Sequence, residues 1–244
     1  MKSFFFSILI ACSFISCSDS GSSGNESENK NDTSQTASQT NDGSKDLFDG
    51  KSLNGWRTYQ NKPADAWSVK DGVLYCKGND TNKSDMRADL VTNDQYENFE
   101  LEMDWKISKA GNSGIMYMVT EEFDAAYNSG PEYQVIDDVN FPEKLESWQK
   151  TAANYAMDSA EGAVPNPVGE WNHTKIIVNK GHVEHWLNGK KVVEYELWTK
   201  EWTKKKNEGK WKDAPGYGMS KKGHIALQDH GSEAWFKNIR IKEL

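Results

Sequence analysis

The sequence predicts an all-β protein, a sandwich of two antiparallel sheets. Three observations carry this expectation. Short segments alternate apolar and polar residues with a period of two. Asp-Gly, Lys-Gly and Asn-Gly dipeptides punctuate them. No strand–helix–strand rhythm and no fixed-period repeat runs through the chain.

The first 16 residues stand apart from that pattern. Met1-Lys2-Ser3 is a short basic start, and Phe4 to Ile15 is almost wholly apolar. That run is shorter than the roughly 20 residues a membrane-spanning helix needs and reads as the core of a secretory signal. Ser16-Cys17 follows, then polar residues, as in a bacterial lipoprotein whose cysteine becomes the lipidated first residue. Cys12 closes a better-matched box, but its signal would be unusually short, so Cys17 is the expected lipidation site. Residues 17–45 are rich in Ser, Asn, Gly, Thr, Asp, Glu and Gln and lack aromatic residues. They are expected to form a flexible polar tether, because they bury too little apolar area to offset the entropy of ordering them. Of three cysteines, Cys76 alone remains for the globular part, which excludes a disulfide framework. Its apolar surroundings predict a small buried residue, not a nucleophile.

Residues 46–244 supply one domain with ample material for a core. Ala66 to Cys76 reads as a hairpin about Asp71-Gly72. Phe99 to Ile107 alternates strictly, with Phe99, Leu101, Met103, Trp105 and Ile107 facing inward. Ile115 to Val119 is a further strand. Trp171 to Asn179 and His182 to Asn188 pair through Lys180-Gly181, and Asn188-Gly189 turns the chain into Lys191 to Glu196. Gly223 to Asp229 and Trp235 to Lys242 close it. Two long insertions interrupt the strands. Phe141 to Val168 carries a short helical signal near Glu143 to Gln149. Leu197 to Lys222 holds Trp198, Trp202, Trp211 and Tyr217. Long loops with this aromatic content are expected to pack on or beside a functional groove.

The formal net charge of −8 and the lack of a large basic cluster argue against a nucleic-acid partner. Lys204-Lys205-Lys206 reads as a solvated face. Ten tryptophans in 244 residues exceed what a core needs and suit a carbohydrate surface, where indole faces meet the C–H faces of sugar rings.

Two stretches look chemical. In Gly130-Pro131-Glu132-Tyr133-Gln134-Val135-Ile136-Asp137-Asp138, alternation puts Glu132 and Gln134 on one face, with Tyr133, Val135 and Asp137 on the other. In Ile225 to Gly231, Ile225, Leu227 and Asp229 share a face, and Ala226, Gln228 and His230 share its opposite. Glu132 and Gln134 on the one stretch, and Gln228 and His230 on the other, suit a polar groove.

The order of motifs then resembles a known family. Leu47-Phe48-Asp49-Gly50-Lys51-Ser52-Leu53-Asn54-Gly55-Trp56 opens it. Gly111-Asn112-Ser113-Gly114-Ile115, Glu132-Tyr133-Gln134-Val135-Ile136-Asp137, Gly169-Glu170-Trp171-Asn172, Trp186-Leu187-Asn188-Gly189, Leu227-Gln228-Asp229-His230-Gly231 and Phe236-Lys237-Asn238-Ile239-Arg240-Ile241 follow. Together they are similar to the 3-keto-disaccharide hydrolase family over nearly all of 46–244. The resemblance implies a concanavalin A-like jelly roll that cleaves glycosides already oxidised to a ketone at C3. Many members carry Arg shortly after Asn-Ser-Gly; Met118 stands there in this chain.

A C3 ketone acidifies the C2 proton, so a base can remove it and expel the C1 substituent. Hydration then completes a net hydrolysis. Such a site needs a base, a donor or cation at the enolate oxygen, and an acid for the departing oxygen. His230 and Glu132 are the catalytic candidates and also the candidate ligands of a divalent cation. Gln134 and Gln228 would orient hydroxyls, Asn112 would contribute an anion-binding turn, and Lys106 would face the enolate. Direct displacement needs two flanking carboxylates, and Glu132 alone stands out, with Asp137 on the opposite face. A non-catalytic carbohydrate-binding module is the competing expectation, and an envelope scaffold a third. The expected location is the cell envelope, with membrane contact through the lipid anchor alone.

Overall fold

The computed structural model describes residues 43–78 and 86–244. The signal segment, Cys17 and the tether up to residue 42 lie outside the described residues. Among the described residues, pairing begins at β1 (Lys45–Asp46), so the expected tether joins the sheet at its last residue. The other strands in chain order are β2 (Trp56–Thr58), β3 (Trp67–Lys70), β4 (Val73–Cys76), β5 (Leu90–Thr92) and β6 (Phe99–Ile107). Then come β7 (Asn112–Val119), β8 (Glu132–Ile136), β9 (Asn172–Asn179), β10 (His182–Leu187), β11 (Lys190–Glu196), β12 (His224–Leu227) and β13 (Ala234–Glu243).

They form two antiparallel sheets, an open jelly-roll sandwich. The larger runs β11-β10-β9-β6-β13-β4-β3, with β1 beside β13. The smaller runs β2-β5-β12-β7-β8. The alternation along β6 is realised as expected, its five apolar residues buried and its charged residues facing out. Those inward residues meet Ile115 and Tyr117 of β7, Tyr133 and Val135 of β8, and Ile225 and Leu227 of β12 in one apolar cluster. Cys76 is buried in the same cluster, and burial pushes its thiol far above the ordinary range, which makes it inert.

The smaller sheet is covered on both faces. Tyr59, Val91, Met116, Val119, Ala126 and Ala226 form a second cluster on its outer side. That is why β7 reads as a continuous apolar run, while β6 alternates. Met118 adopts a left-handed φ of 57° and turns into the main core beside Tyr117, so the position marked by the family's arginine faces the core here.

A polar network threads the core. His185 is fully buried; its Nε2 lies 2.8 Å from the Tyr117 hydroxyl, and its Nδ1 lies 2.9 Å from the Ala152 carbonyl oxygen. Tyr117 and Tyr195 share a hydroxyl–hydroxyl bond of 2.7 Å. Burial lowers the His185 pKa to about 4 from 6.5. The folded form therefore resists a proton that the unfolded chain accepts, so this residue's contribution to stability is present above about pH 6.5 and lost as the pH falls towards 4. His185→Gln is expected to lack that acid-side loss, read as the difference from wild type in urea midpoints measured between pH 4 and 7.

Both insertions dock on the smaller sheet. The first pairs with the free edge of β8: Gln134 N–H donates to Ala153 O at 3.1 Å and Tyr155 N–H to Glu132 O at 3.0 Å. Its expected helix shrinks to one 3₁₀ turn at Ser147–Gln149. The second contains α1 (Lys200–Glu208), whose start is capped by the Thr199 hydroxyl accepting from Trp202 N–H at 3.1 Å. Lys206 of the basic run is buried, contrary to the solvated reading; Trp202 and Lys206, four residues apart, share the packed side of the helix.

Candidate active site

The opening motif builds structure. Asp49 Oδ1 accepts from the Lys51 and Ser52 amides at 2.7 and 2.8 Å, and Trp56 Nε1 donates to Leu47 O at 2.6 Å. Trp186-Leu187-Asn188-Gly189 likewise makes a hairpin turn, with Asn188 Oδ1 accepting from His173 N–H at 2.9 Å. Three other motifs converge. Asn112 of β7, Glu132 and Gln134 of β8, and Gln228 and His230 after β12 line one cleft on the outer face of the smaller sheet. The insertions add Tyr155, Lys210 and Trp211, and the β7–β8 connection adds Tyr127. The cleft encloses about 330 Å³, at the lower end of small-molecule sites (roughly 300–1,000 Å³).

Register explains the convergence. Gly114 pairs with Gln134, and Gln228 N–H donates to Gly114 O at 2.9 Å, so three strands bring these residues into one row. Ser113, on the inner side, donates its hydroxyl to Gln228 O at 2.8 Å and locks β7 to the segment after β12. A Cβ on Gly114 would lie 2.1 Å from Glu132 Oε1, so the glycine makes room for that carboxyl to lie flat on the sheet.

Glu132 is buried, and its carboxyl has no hydrogen-bond partner among the described residues. Burial, then the charge of Asp89, pushes its pKa up to about 8 against the pull of Lys210. At neutral pH it holds a proton. Gln228 Oε1 and Asn112 Oδ1 are buried without hydrogen-bond partners. Two orphan acceptors beside a neutral acid suit a ligand rich in hydroxyl donors. His230 is exposed at the rim.

The aromatic wall is built outside the sheet. Trp211 stacks on Tyr217 at 4.2 Å between ring centroids, and Tyr155 meets Trp211 edge-on at 6.4 Å. Lys210 Nζ lies 4.1 Å from the Tyr155 ring centroid. Trp211 is the single tryptophan of the cleft lining; several others donate to backbone carbonyls in and around the core. The tryptophan surplus is thus mainly structural.

Lys106 does not reach the cleft. It stands on the outer face of the larger sheet, over the Trp235 and Trp171 rings at 4.8 and 5.2 Å. Odd-numbered β6 residues face the core, and even-numbered ones point away from the smaller sheet. Asp137 is likewise engaged elsewhere. It accepts from the Ala110, Val139 and Asn140 amides and from Asn140 Nδ2, which hold its carboxyl below the ordinary range in spite of burial. It borders a second cavity of about 320 Å³ beside the Pro165–Gly169 loop, where its oxygens have no spare valence. Among the described residues, no third His, Cys, Asp or Glu completes a metal-ligand cluster with Glu132 and His230. The cluster of that spacing, His182, Glu184 and Glu194, lies on the other sheet and is bridged by Lys191.

Sequence reasoning did not mark Lys210 or Asp89. Lys210 arrives on a one-turn 3₁₀ helix (Lys210–Asp213) inside an insertion. Asp89 precedes β5, a three-residue strand too short to alternate visibly.

A jelly roll with an acid-bearing cleft on its smaller sheet belongs to an architecture that serves both glycoside-cleaving enzymes and carbohydrate-binding modules. The comparisons with known proteins make this specific: residues 43–242 match the family model of the 3-keto-alpha-glucoside-1,2-lyase-like domain, and the chain belongs to that family. It is 39% identical over 229 residues to the 3-keto-disaccharide hydrolase of Bacteroides thetaiotaomicron, covering 83% of this chain and 79% of that protein. Among solved structures, a candidate glycosyl hydrolase from Parabacteroides distasonis is 42% identical, with a TM-score of 0.77 over 83% of this chain and 94% of that one. A second from the same organism is 30% identical, with a TM-score of 0.57 over 78% of this chain and all of the other.

Proposed function

We propose that this protein cleaves glycosides or disaccharides carrying a ketone at C3, by elimination across C1–C2 followed by hydration. The observation that carries this reading is Glu132, a buried carboxyl lying over Gly114 in a cleft that also holds two buried, unpartnered amide oxygens. His230, at the rim, takes the C2 proton, and the C–H electron pair becomes the enolate. Lys210 is the cation near enough to the cleft to face the enolate oxygen, the part expected of Lys106. Glu132 gives its proton to the C1 oxygen as that bond breaks. Water then adds at C1, giving up a proton to Glu132, while His230 returns one to C2. Gln134, Gln228 and Asn112 hold the sugar hydroxyls. A lipid anchor at Cys17 would hold the enzyme at the cell envelope, in keeping with the signal-like start of the sequence.

The test compares a 3-keto-glucoside with its unoxidised parent, with and without chelator, following aglycone release. Release from the keto form alone is expected. His230→Ala is expected to lower kcat by about 10²–10⁴ with an unchanged melting curve. Loss of release on chelation would show that the reaction needs a divalent cation. Sugar binding without release from either substrate would make the protein a carbohydrate-binding module.

A further inference from the structure

The outer face of the larger sheet, on the far side of the sandwich from the cleft, gathers aromatic rings and cations of its own. Cross-strand register lays Tyr75 of β4, Trp235 of β13 and Lys106 of β6 in one row. Trp171, just before β9, extends the row beyond the Trp105–Asn172 pair. Leu74, Cys76, Ala234 and Phe236 face the core, so Tyr75 and Trp235 face away from it. Their ring centroids lie 5.5 Å apart. Lys106 Nζ sits between Trp235 and Trp171, at 4.8 and 5.2 Å from their centroids. Lys237 Nζ lies 4.1 Å from the Trp171 centroid, and Lys70 Nζ lies 3.8 Å from that of Tyr75. Four strands at about 4.8 Å spacing make the row roughly 14 Å long.

Lysines over rings stabilise a sheet surface by themselves. The charge balance is what points to a ligand. Lys45, Lys191 and Lys205 each pair with a carboxylate. Among the described residues, Lys70, Lys106 and Lys237 have no carboxylate within ion-pair distance, because the acids of this face are taken. Asp104 accepts from Asn238 Nδ2 and meets His173 Nδ1, Glu102 pairs with Arg240, and Glu233 accepts from the Tyr75 hydroxyl. The indole N–H groups of Trp171 and Trp235 likewise have no acceptor among the described residues.

We infer that this row is a binding face for an acidic polysaccharide, separate from the cleft. The three ammonium groups and two indole N–H groups meet the carboxylate or sulfate oxygens of the chain, and the rings between them meet the C–H faces of its sugars. The row is long enough for a short run of sugar units. Its rings are half-buried or buried in the sheet surface, so none projects far enough to enter a lipid layer. The inference does not depend on the reaction proposed above, since cleft and row lie on opposite faces of the sandwich.

The test titrates the full chain with polygalacturonate, dextran sulfate and neutral dextran, reading heat and tryptophan fluorescence. At least one polyanion is expected to bind, more weakly as salt is added, and neutral dextran is expected not to bind. Lys106→Ala/Lys237→Ala is expected to weaken binding by about five- to tenfold. Trp171→Ala, which keeps the three charges, is expected to weaken it about fivefold. Lys200→Ala/Lys204→Ala removes the same charge from exposed positions of α1 and is expected to change nothing. Glu132→Gln is expected to bind as wild type does, which separates this face from the cleft. Melting curves establish that each variant is folded. Failure of both polyanions, equal binding of neutral dextran, equal weakening by the α1 pair, or loss of binding in Glu132→Gln overturns the inference. So does binding of vesicles containing phosphatidylglycerol where neither polyanion binds.

Discussion

Glu132→Gln is expected to yield a protein that melts later than wild type and turns over at least about 10³-fold more slowly. Both effects come from one buried carboxyl. The folded pKa, about 8, lies above the 4.5 of an unfolded carboxylate, chiefly because burial penalises the charge. Between those values the folded state binds the proton that the unfolded state releases. The residue's contribution to stability is therefore complete below about pH 4.5 and is lost as the pH rises through 8. Glutamine has no proton to lose, so the stability gap between variant and wild type widens from pH 5 to 8 and then levels. Relaxation around the ionised carboxylate limits the gap to about 1–3 kcal/mol, below the ~5 that ~1.4 kcal/mol per pH unit would give over that range. Chemical denaturation at pH 5, 7 and 8.5 reads the slope. A gap that stays constant with pH would place the Glu132 carboxyl in water. Full activity in the variant would remove it from the chemistry.

Gly114→Ala is expected to lower turnover by about 10²–10³ while costing only about 1 kcal/mol of stability. The new Cβ would fall 2.1 Å from Glu132 Oε1, with the rest of that carboxyl arm within 3 Å. The three nearest atoms all belong to the Glu132 side chain, a flexible arm that can swing aside with the strand left in place. A displaced acid no longer reaches the C1 oxygen, and misplacement by about 1 Å is enough to cost a hundredfold. The effect should fall on kcat more than on KM, because Gln228, Gln134 and Trp211 still hold the ligand. A crystal structure of the variant with Glu132 unmoved and activity retained would show that the glycine serves the strand alone.

The residues that stood out in sequence did so because the strands carrying them are half-buried and alternate. Alternation puts Glu132 and Gln134 on one face of β8 and Gln228 and His230 on one face after β12, and the four line one cleft. Lys106 also lies on a clear strand, and its outward direction was legible. What was not legible is that β6 belongs to the other sheet, so outward there leads away from the cleft. Met118 shows a second limit: a left-handed residue inside β7 shifts the face, and no residue type announces it.

The sequence by itself determined the fold class, most strand pairings joined by Gly turns, the inert Cys76, and the three motifs that meet at the cleft. These are local matters, set by the period of the side chains and the φ demands of the turns. The tertiary structure alone decided the sheet order, the pairing of an insertion with the edge of β8, and the arrival of Lys210 in the cleft that holds Glu132. It also decided that Glu132 holds its proton at neutral pH. A pKa depends on what excludes water and on which charges act on the group, and here the charges that act, Asp89 and Lys210, are 43 and 78 positions away along the chain.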